Sequence, residues 1–398
     1  MRRDQGSREP RALLRAFVPL SVALALGAIG ACATVLGYDD LSDRPAGLTA
    51  ADAQPEVAAD AIDEADVADA LPSGIYPPEP PAGAPVASGA GVTRWFVVER
   101  FYLGSQTHTG EKSNNAWREW GFDIDHVCTG ATESLTNVGT CRRVDGATQD
   151  VLVDGDGCRD NNFGAQIVRL IRVYNDDFEA QSTTALIGGS GSWILRLDDL
   201  DTGADDAFTP GRLYRAAPLP KGTAPPKFDG TDVRSATSDS VIGGAIDRPV
   251  TSFPSGYVRG NVWVSGAPAT FEVLVPIGDF GAPMQLVGAQ FAATLSPEHD
   301  ALHGGTLSGA MPATSIDTLV RPIAVKAGFC PGTALYDGFL KTVSKFPDLV
   351  VGAPNLQDVD VTCDAISIGV GLDFAPIKPV TQVIAPATPP PSKCGDAG

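Results

Sequence analysis

Apolar and polar residues alternate along much of the chain, and this pattern predicts a mainly β fold. Three segments place an apolar residue at every second position: 271–277, 287–295 and 366–374. An aromatic and β-branched segment at 94–104 and the short run 261–264 add to the strand signal. Period-two alternation over this length is typical of half-buried strands in a largely antiparallel sheet.

Helical spacing of apolar residues is rare and short. The segments 163–174, 314–323 and 333–346 carry it, and glycine or proline punctuates the chain between the periodic runs. Many strands with two or three short packed helices predict an antiparallel β-sandwich rather than a doubly wound α/β fold.

The N-terminal segment predicts export. Five arginines precede a short apolar run at 16–31, which is the signature of a removable signal peptide and is shorter than the roughly 20 residues that span a bilayer. The run ends in Ile29-Gly30-Ala31-Cys32. These four residues resemble the lipobox of bacterial lipoproteins, which implies a lipid on Cys32 and attachment to a membrane. Ala33 in place of Asp favours the outer membrane within that family. The alternative is an ordinary signal peptide in which Cys32 has no special role.

The residue composition along the chain predicts four regions. Residues 1–31 are the signal peptide, and 32–91 are a disordered tether rich in alanine, aspartate and proline, because such a stretch cannot bury enough apolar surface to fold. Residues 92–376 are the β-sandwich domain, and 377–398 are a proline-rich tail. We expect the tail to be loose except where Cys394 pins it to the domain.

The net charge limits the classes of partner that the protein is expected to bind. The formal charge of the chain is −19, and the first 31 residues carry +3, so the exported part is near −22. This acidity disfavours nucleic acid as a partner and favours cations. The partners that remain are the membrane, through the lipid, and an envelope protein or a glycan.

The cysteines predict disulfides. Beyond Cys32 there are six, an even number, and in an exported chain this indicates up to three disulfides. Sequence proximity favours two of the pairs and leaves the third by elimination. The expected pairs are Cys128–Cys141, Cys330–Cys363 and Cys158–Cys394. Six cysteines allow 15 pairings, and the others stay open.

A second resemblance covers most of 94–376. The segments WGFDIDHVCTG (120–130), CRDNNFGAQIV (158–168) and CDAISIGVGLDF (363–374) resemble uncharacterised secreted lipoproteins of myxobacterial type. The resemblance implies export and a one-domain architecture. It implies no activity, and Arg159 and Asn162 depart from the pattern of that group.

The candidate chemistry is acidic. Asp154, Asp156 and Asp160 lie in the run VDGDGCRDNN, with Asp123 and Asp125 about thirty residues before them. Carboxylate oxygens are the ligands that calcium prefers, and glycine lets a loop turn around the ion. Calcium is therefore the candidate cofactor. The alternative is a solvated turn, which Asp, Asn and Gly readily form. A second acidic run at 198–206 is ambiguous in the same way and is more typical of a long loop.

Catalytic patterns are weak. His299 and His303 have the spacing of a helical metal pair, but their surroundings fit a hairpin turn better. No G-x-S-x-G motif is present in the sequence, so a serine nucleophile has no local signature. His126 beside Asp125 is the residue to suspect as a base, against a polar loop residue as the alternative.

These patterns predict a cell-envelope lipoprotein with a disulfide-containing β domain in a non-catalytic binding or structural role, stabilised by calcium. The alternative is a surface-tethered hydrolase with an active site built from loops. A pocket where titratable residues converge favours the hydrolase. A shallow aromatic or acidic face near a tryptophan favours a binding module. The tryptophans considered are Trp95, Trp117, Trp120 and Trp263.

Overall fold

The computed structural model describes residues 75–83, 85–87, 89–137, 139–277, 280–351, 358–386 and 394. All of them belong to one compact unit. The predicted signal peptide at 1–31, the predicted lipid site Cys32 and the predicted tether up to residue 74 lie outside the described residues.

The described chain is mainly β, as the alternation predicts. Its strands are β1 (Val92–Tyr102), β2 (Cys141–Arg142), β3 (Ser192–Leu200), β4 (Gly211–Ala216), β5 (Ala236–Thr237), β6 (Thr251–Phe253), β7 (Tyr257–Arg259), β8 (Val262–Val264), β9 (Ala269–Ile277), β10 (Phe280–Leu295), β11 (Leu302–Pro312), β12 (Asp358–Thr362), β13 (Ala365–Pro376) and β14 (Val383–Ile384). All of the strand segments predicted from the sequence are found among them.

Twelve of these strands form one mixed sheet, in which antiparallel pairing predominates. The main path runs β14-β5-β4-β3-β1-β13-β11-β10-β8-β7, with β6 paired to β4 and β9 paired to β10. Only the β14–β5 pair within this sheet is parallel. The other two strands, β2 and β12, form a small parallel pair of their own.

The sheet curls back on itself, so that strands distant in the path pack as two facing layers. Trp263 of β8 is fully buried, and a Cβ on Gly211 of β4 would lie 2.4 Å from its ring. Phe253 of β6 packs edge-on against Trp263, with 5.8 Å between ring centroids. The backbone of Asp206, just before β4, exchanges hydrogen bonds of 2.7 and 2.9 Å with Val258 of β7. The main apolar core contains residues from both layers, such as Leu213 and Trp263, together with helix residues such as Ile316 and Leu319.

Helices are short and lie outside the sheet. The α-helices in the described residues are α1 (Ala131–Thr136), α2 (Arg169–Tyr174), α3 (Phe178–Ile187), α4 (Ile316–Ala327) and α5 (Ala334–Val343). A π-helical turn, Phe163–Val168, precedes α2. The three predicted helical segments are found, as that turn with α2, as α4 and as α5. Neither α1 nor α3 was predicted. None of the described helices combines the length and the apolar character needed to cross a membrane.

Three disulfides use all six cysteines of the domain, but the pairing expected from sequence proximity is wrong. The bonds join Cys128 to Cys158, Cys141 to Cys363 and Cys330 to Cys394. The pair Cys141–Cys363 spans 222 residues, because β2 pairs with β12 and brings two remote segments together. Cys394 does pin the tail, although its partner is Cys330 instead of Cys158.

The folded unit also begins before the predicted boundary at residue 92. The carbonyl oxygen of Ile75 accepts a hydrogen bond of 3.0 Å from the amide of Asp123. The carbonyl oxygen of Pro78 accepts one of 2.6 Å from the Tyr257 hydroxyl. The last part of the predicted tether is therefore attached to the domain.

Candidate metal centre

Two loops, 120–129 and 154–162, lie on one face of β13. The sequence predicts β13 as a half-buried strand, with Ser367, Gly369, Gly371 and Asp373 on its open face. The first three are buried as well and Asp373 is half-buried, because the loops cover most of this face. A Cβ on Gly371 would lie 2.1 Å from the Trp120 ring, and one on Gly369 would lie 2.5 Å from the Trp120 carbonyl oxygen. The small residues permit the close approach that positions both loops.

Side chains beneath the loops fix their backbones. Asn161 Oδ1 accepts hydrogen bonds of 3.0 Å from the amides of Gly369 and Gly164. Ser367 Oγ accepts one of 2.7 Å from the amide of Asn162. The disulfide Cys128–Cys158 then links the two loops covalently. Rigid loops of this kind can hold several carboxyl groups together against their mutual repulsion.

Asp123, Asp125 and Asp160 form the centre of the site. One carboxylate oxygen from each lies within 4.8 Å of the others, and all three side chains are buried, with 5% exposure or less. Asp160 Oδ2 accepts hydrogen bonds from the amides of Ile124, at 2.6 Å, and Asp125, at 3.3 Å. The Asp125 carboxyl accepts from the amide of Val127 at 2.8 Å and from the Thr140 hydroxyl.

Two further carboxyls adjoin this group. Asp154 accepts a hydrogen bond of 2.5 Å from the amide of Thr129 and shares a side-chain hydrogen bond with Asp160. Asp348 accepts from the amide and hydroxyl of Ser367, at 2.8 and 2.5 Å. Its charge acts on both Asp154 and Asp160.

Burial makes it costly to ionise these groups, and their mutual repulsion adds to the cost. Burial, followed by the nearby charge of Asp123, raises the pKa of Asp125 to about 6, against the stabilising effect of its hydrogen bonds. Burial raises the pKa of Asp154 and that of Asp348 to about 8. It also raises the pKa of Asp160 well above the ordinary value, with further contributions from Asp125, Asp154 and Asp348.

The charge of this cluster is not balanced by lysine or arginine, although the nearby His126 acts to lower the pKa of Asp125. Within the described ranges, no lysine or arginine forms an ion pair with any of the five carboxyls. In addition, Asp123 Oδ1 is buried and has no hydrogen-bond partner. Leaving such an atom unpaired costs free energy. The site therefore needs either protons or a cation.

A hard divalent cation fits this arrangement. Calcium binds oxygen ligands at 2.3–2.6 Å, so two ligands on one ion lie at most about 5 Å apart. The 4.8 Å limit among the three carboxylates meets this requirement. A divalent cation here could serve as the partner of the buried Asp123 Oδ1 and would offset two negative charges of the cluster.

The structure brings four of the five aspartates predicted as ligands together and places the fifth elsewhere. Asp123, Asp125 and Asp160 meet, and Asp154 adjoins them. Asp156 lies outside the cluster: its side chain is 60% exposed and pairs with Arg118 at 2.8 Å. The ion pair points Asp156 toward solvent, on the outer side of the same loop.

The other sequence candidates have structural roles. His299 lies in the turn between β10 and β11, as the hairpin interpretation predicts, and its Nδ1 contacts the Asp201 carbonyl oxygen at 2.5 Å. His126 is exposed, and its ring lies 5.0 Å from that of Tyr76. In the acidic run 198–206, Asp198 pairs with Arg196 and Arg212 at 2.6 and 2.8 Å.

The tryptophans form no exposed aromatic face. Trp95, Trp117, Trp120 and Trp263 are all buried, with 7% exposure or less. They are core residues, and the indole nitrogen of Trp263 donates to the Thr209 carbonyl oxygen at 2.9 Å.

Sequence reasoning missed three residues of the site. Asp348 is a single carboxyl within the apolar run FPDLVV, and its isolation among apolar residues is the one signal available. Thr140 and Tyr76 carry no sequence signal, since each reaches the cluster only through the tertiary fold.

Comparisons of the chain with protein-family models, with curated proteins and with solved structures find no match.

Proposed function

We propose that this chain is an exported, lipid-anchored envelope protein whose β domain has a non-catalytic binding or structural role and is stabilised by calcium. The observation that carries the cation is the buried group Asp123, Asp125 and Asp160, which lacks a basic partner and contains an unpaired oxygen. The export signal and the lipid rest on the sequence Ile29-Gly30-Ala31-Cys32 and the arginines before it.

The burial of the cluster favours a stabilising cation over catalysis. A general acid or base must come within hydrogen-bond reach of its substrate. The carboxyls with raised pKa values lie beneath loops, with exposures of 9% or less for Asp125, Asp160 and Asp348. The hydrolase alternative requires an open pocket lined by these carboxyls. A pocket in the described part of the chain is lined by Trp193, Arg215 and Asp239, among others, and by none of the five cluster carboxyls.

The proposed partners follow from the same features. The lipid on Cys32 would hold the protein at a membrane, with the outer membrane favoured by Ala33. The acidic surface disfavours nucleic acid, which leaves an envelope protein or a glycan as the ligand of the displayed domain.

Labelled palmitate is expected to enter the protein in its bacterial host, and Cys32→Ser is expected to abolish the label. The variant should also be released from the membrane fraction, because the lipid is the proposed anchor. Gel fluorography after metabolic labelling measures the first effect, and fractionation measures the second. Ser21→Ala, within the same signal, is the control. Label that persists in Cys32→Ser would refute the lipoprotein proposal.

Calcium is expected to raise the melting temperature by a few degrees, and Asp160→Asn is expected to erase this rise. A ligand that binds only the folded state stabilises it by about 2.7 kcal/mol at one hundred times Kd, which is a few degrees for a domain of this size. Magnesium should do less, because it requires a tighter octahedron. Asn keeps an oxygen that can accept from the amides of Ile124 and Asp125, so the loop geometry is retained.

Asp156→Ala is the matched control, because it removes a carboxylate from the same loop but outside the cluster. Its calcium-dependent rise should equal that of the unmodified protein. Melting curves in chelator and in millimolar calcium measure both variants. Coincident curves for the unmodified protein would refute the calcium site.

A further inference from the structure

The segment Ile75–Pro78, here called the strap, contacts both loops of the candidate metal centre. Its Ile75 carbonyl oxygen accepts the Asp123 amide at 3.0 Å, and the Tyr76 hydroxyl donates to Asp123 Oδ2. On the second loop, Gly157 lies so close to Ile75 that a Cβ there would be 2.8 Å from Ile75 Cγ2.

The far end of the strap is held by another element. Tyr257 of β7 donates from its hydroxyl to the Pro78 carbonyl oxygen at 2.6 Å. Tyr257 itself is buried, with 5% exposure. Tyr257 thus fixes the strap through its Pro78 end, and Tyr257 is not one of the carboxyl residues of the cluster.

Asp123 connects the strap to the cluster. Its Oδ2 accepts from Tyr76, while its buried Oδ1 has no partner in the protein. The Asp123 side chain is therefore held from the strap at one oxygen, while the other oxygen is directed to the buried cluster without a protein partner.

A cation on the cluster would favour the docked strap. The strap holds Asp123 through the Asp123 amide and through Oδ2, and a cation would give the remaining oxygen, Oδ1, a partner. Each contact fixes the same side chain, so each makes the other more favourable. Without the cation, Oδ1 lacks a partner, and solvating it requires water beneath the strap.

We propose that docking of the strap and binding of calcium at Asp123, Asp125 and Asp160 are coupled, so that calcium fixes the strap on the domain and its loss releases it. This inference rests on the calcium site proposed above. By thermodynamic reciprocity, the docked strap must tighten calcium binding by the same factor as calcium tightens docking.

The coupling would control where the tether begins. With the strap docked, the domain holds the chain at Ile75. With the strap released, the next contacts along the described chain are the hydrogen bonds that the amides of Gly89 and Gly91 donate to Asp199, starting fourteen residues later. Fourteen residues add at most about 50 Å of extended length. Calcium would then set how far the domain reaches from its anchor.

Tyr257→Phe tests the coupling without altering a calcium ligand or Tyr76. It removes the bond to Pro78 and is expected to weaken calcium binding about fivefold, measured by titration calorimetry on the exported chain. Tyr336→Phe is the control, since it removes a phenol bonded to Asp317 at a different place in the fold. Its calcium affinity should be unchanged.

Hydrogen exchange at single amides gives the second readout. The Asp123 amide, bonded to Ile75, should exchange at least several-fold faster in chelator than in calcium, whereas the Asp160 amide, bonded to Phe122, should change less. Calcium binding that is unaffected by Tyr257→Phe, or equal acceleration of both amides, would overturn the coupling and leave the calcium site standing. Failure of the unmodified protein to bind calcium would overturn both proposals.

Discussion

Replacing Cys141 and Cys363 with alanine is expected to lower the free energy of unfolding by ~5 kcal/mol, the largest effect of any single disulfide in the chain. The bond closes a loop of 222 residues, and the loss of chain entropy in the unfolded state grows with the logarithm of that length. Both cysteines are almost fully buried. The small β2–β12 pair beside them would lose its covalent link.

The other two disulfides provide the matched comparison. Cys128–Cys158 closes a loop of 30 residues and Cys330–Cys394 one of 64, so their removal is expected to cost ~3.5 and ~4 kcal/mol. Unfolding in denaturant measures all three double variants. Peptide mapping without reduction checks the pairing. A smaller loss for the 141–363 variant than for the 128–158 variant would contradict this order.

In the presence of chelator, acidification from pH 8 to pH 5 is expected to stabilise the protein by a few kcal/mol. The folded-state pKa of Asp125 is raised to about 6, and those of Asp154 and Asp348 to about 8, from an ordinary value of 3.8. Between the ordinary and the raised value, the folded state binds more protons than the unfolded state does. Its stability therefore rises as the pH falls through this window and is lost as the pH rises toward 8.

Calcium should oppose the loss of stability at high pH, because a bound cation replaces the protons on the carboxyls. At pH 8 the calcium-bound protein is expected to be the more stable form, and the calcium-dependent rise in melting temperature should shrink toward pH 5. Carboxyls with lowered pKa values, such as Asp317, lose their stabilising effect only in more acidic solution.

Asp348→Asn tests whether the dependence of stability on pH comes from the cluster or from the net charge of the chain. It removes one carboxyl with a raised pKa and keeps an oxygen for the Ser367 amide, so the dependence on pH in chelator should become shallower. Melting curves at pH 5, 6, 7 and 8 provide the measurement. A melting temperature that falls on acidification in this range would contradict the prediction.

Much of the fold is readable from local patterns, because burial of one face of a strand requires alternation. The segments 287–295 and 366–374 lie within β10 and β13 as expected. The acidic residues were a partial guide to the site: Asp123, Asp125 and Asp160 converge. The run in which Asp160 lies also contains Asp156, which faces solvent. Spacing along a loop does not report which side chains turn inward.

The sequence by itself determined the β class, the even set of domain cysteines and the acidic loops, since each depends on residue type and local spacing. Only the tertiary structure decided which cysteines meet, that Asp348 and Tyr76 join the cluster, and that the small face of β13 is buried beneath the site loops. From the sequence pattern, Gly369 and Gly371 are predicted to lie on the open face of a strand. They are small because Trp120 and Gly121 approach to within van der Waals contact. Contacts between segments that are remote in sequence depend on how the whole chain packs, and no local pattern encodes them.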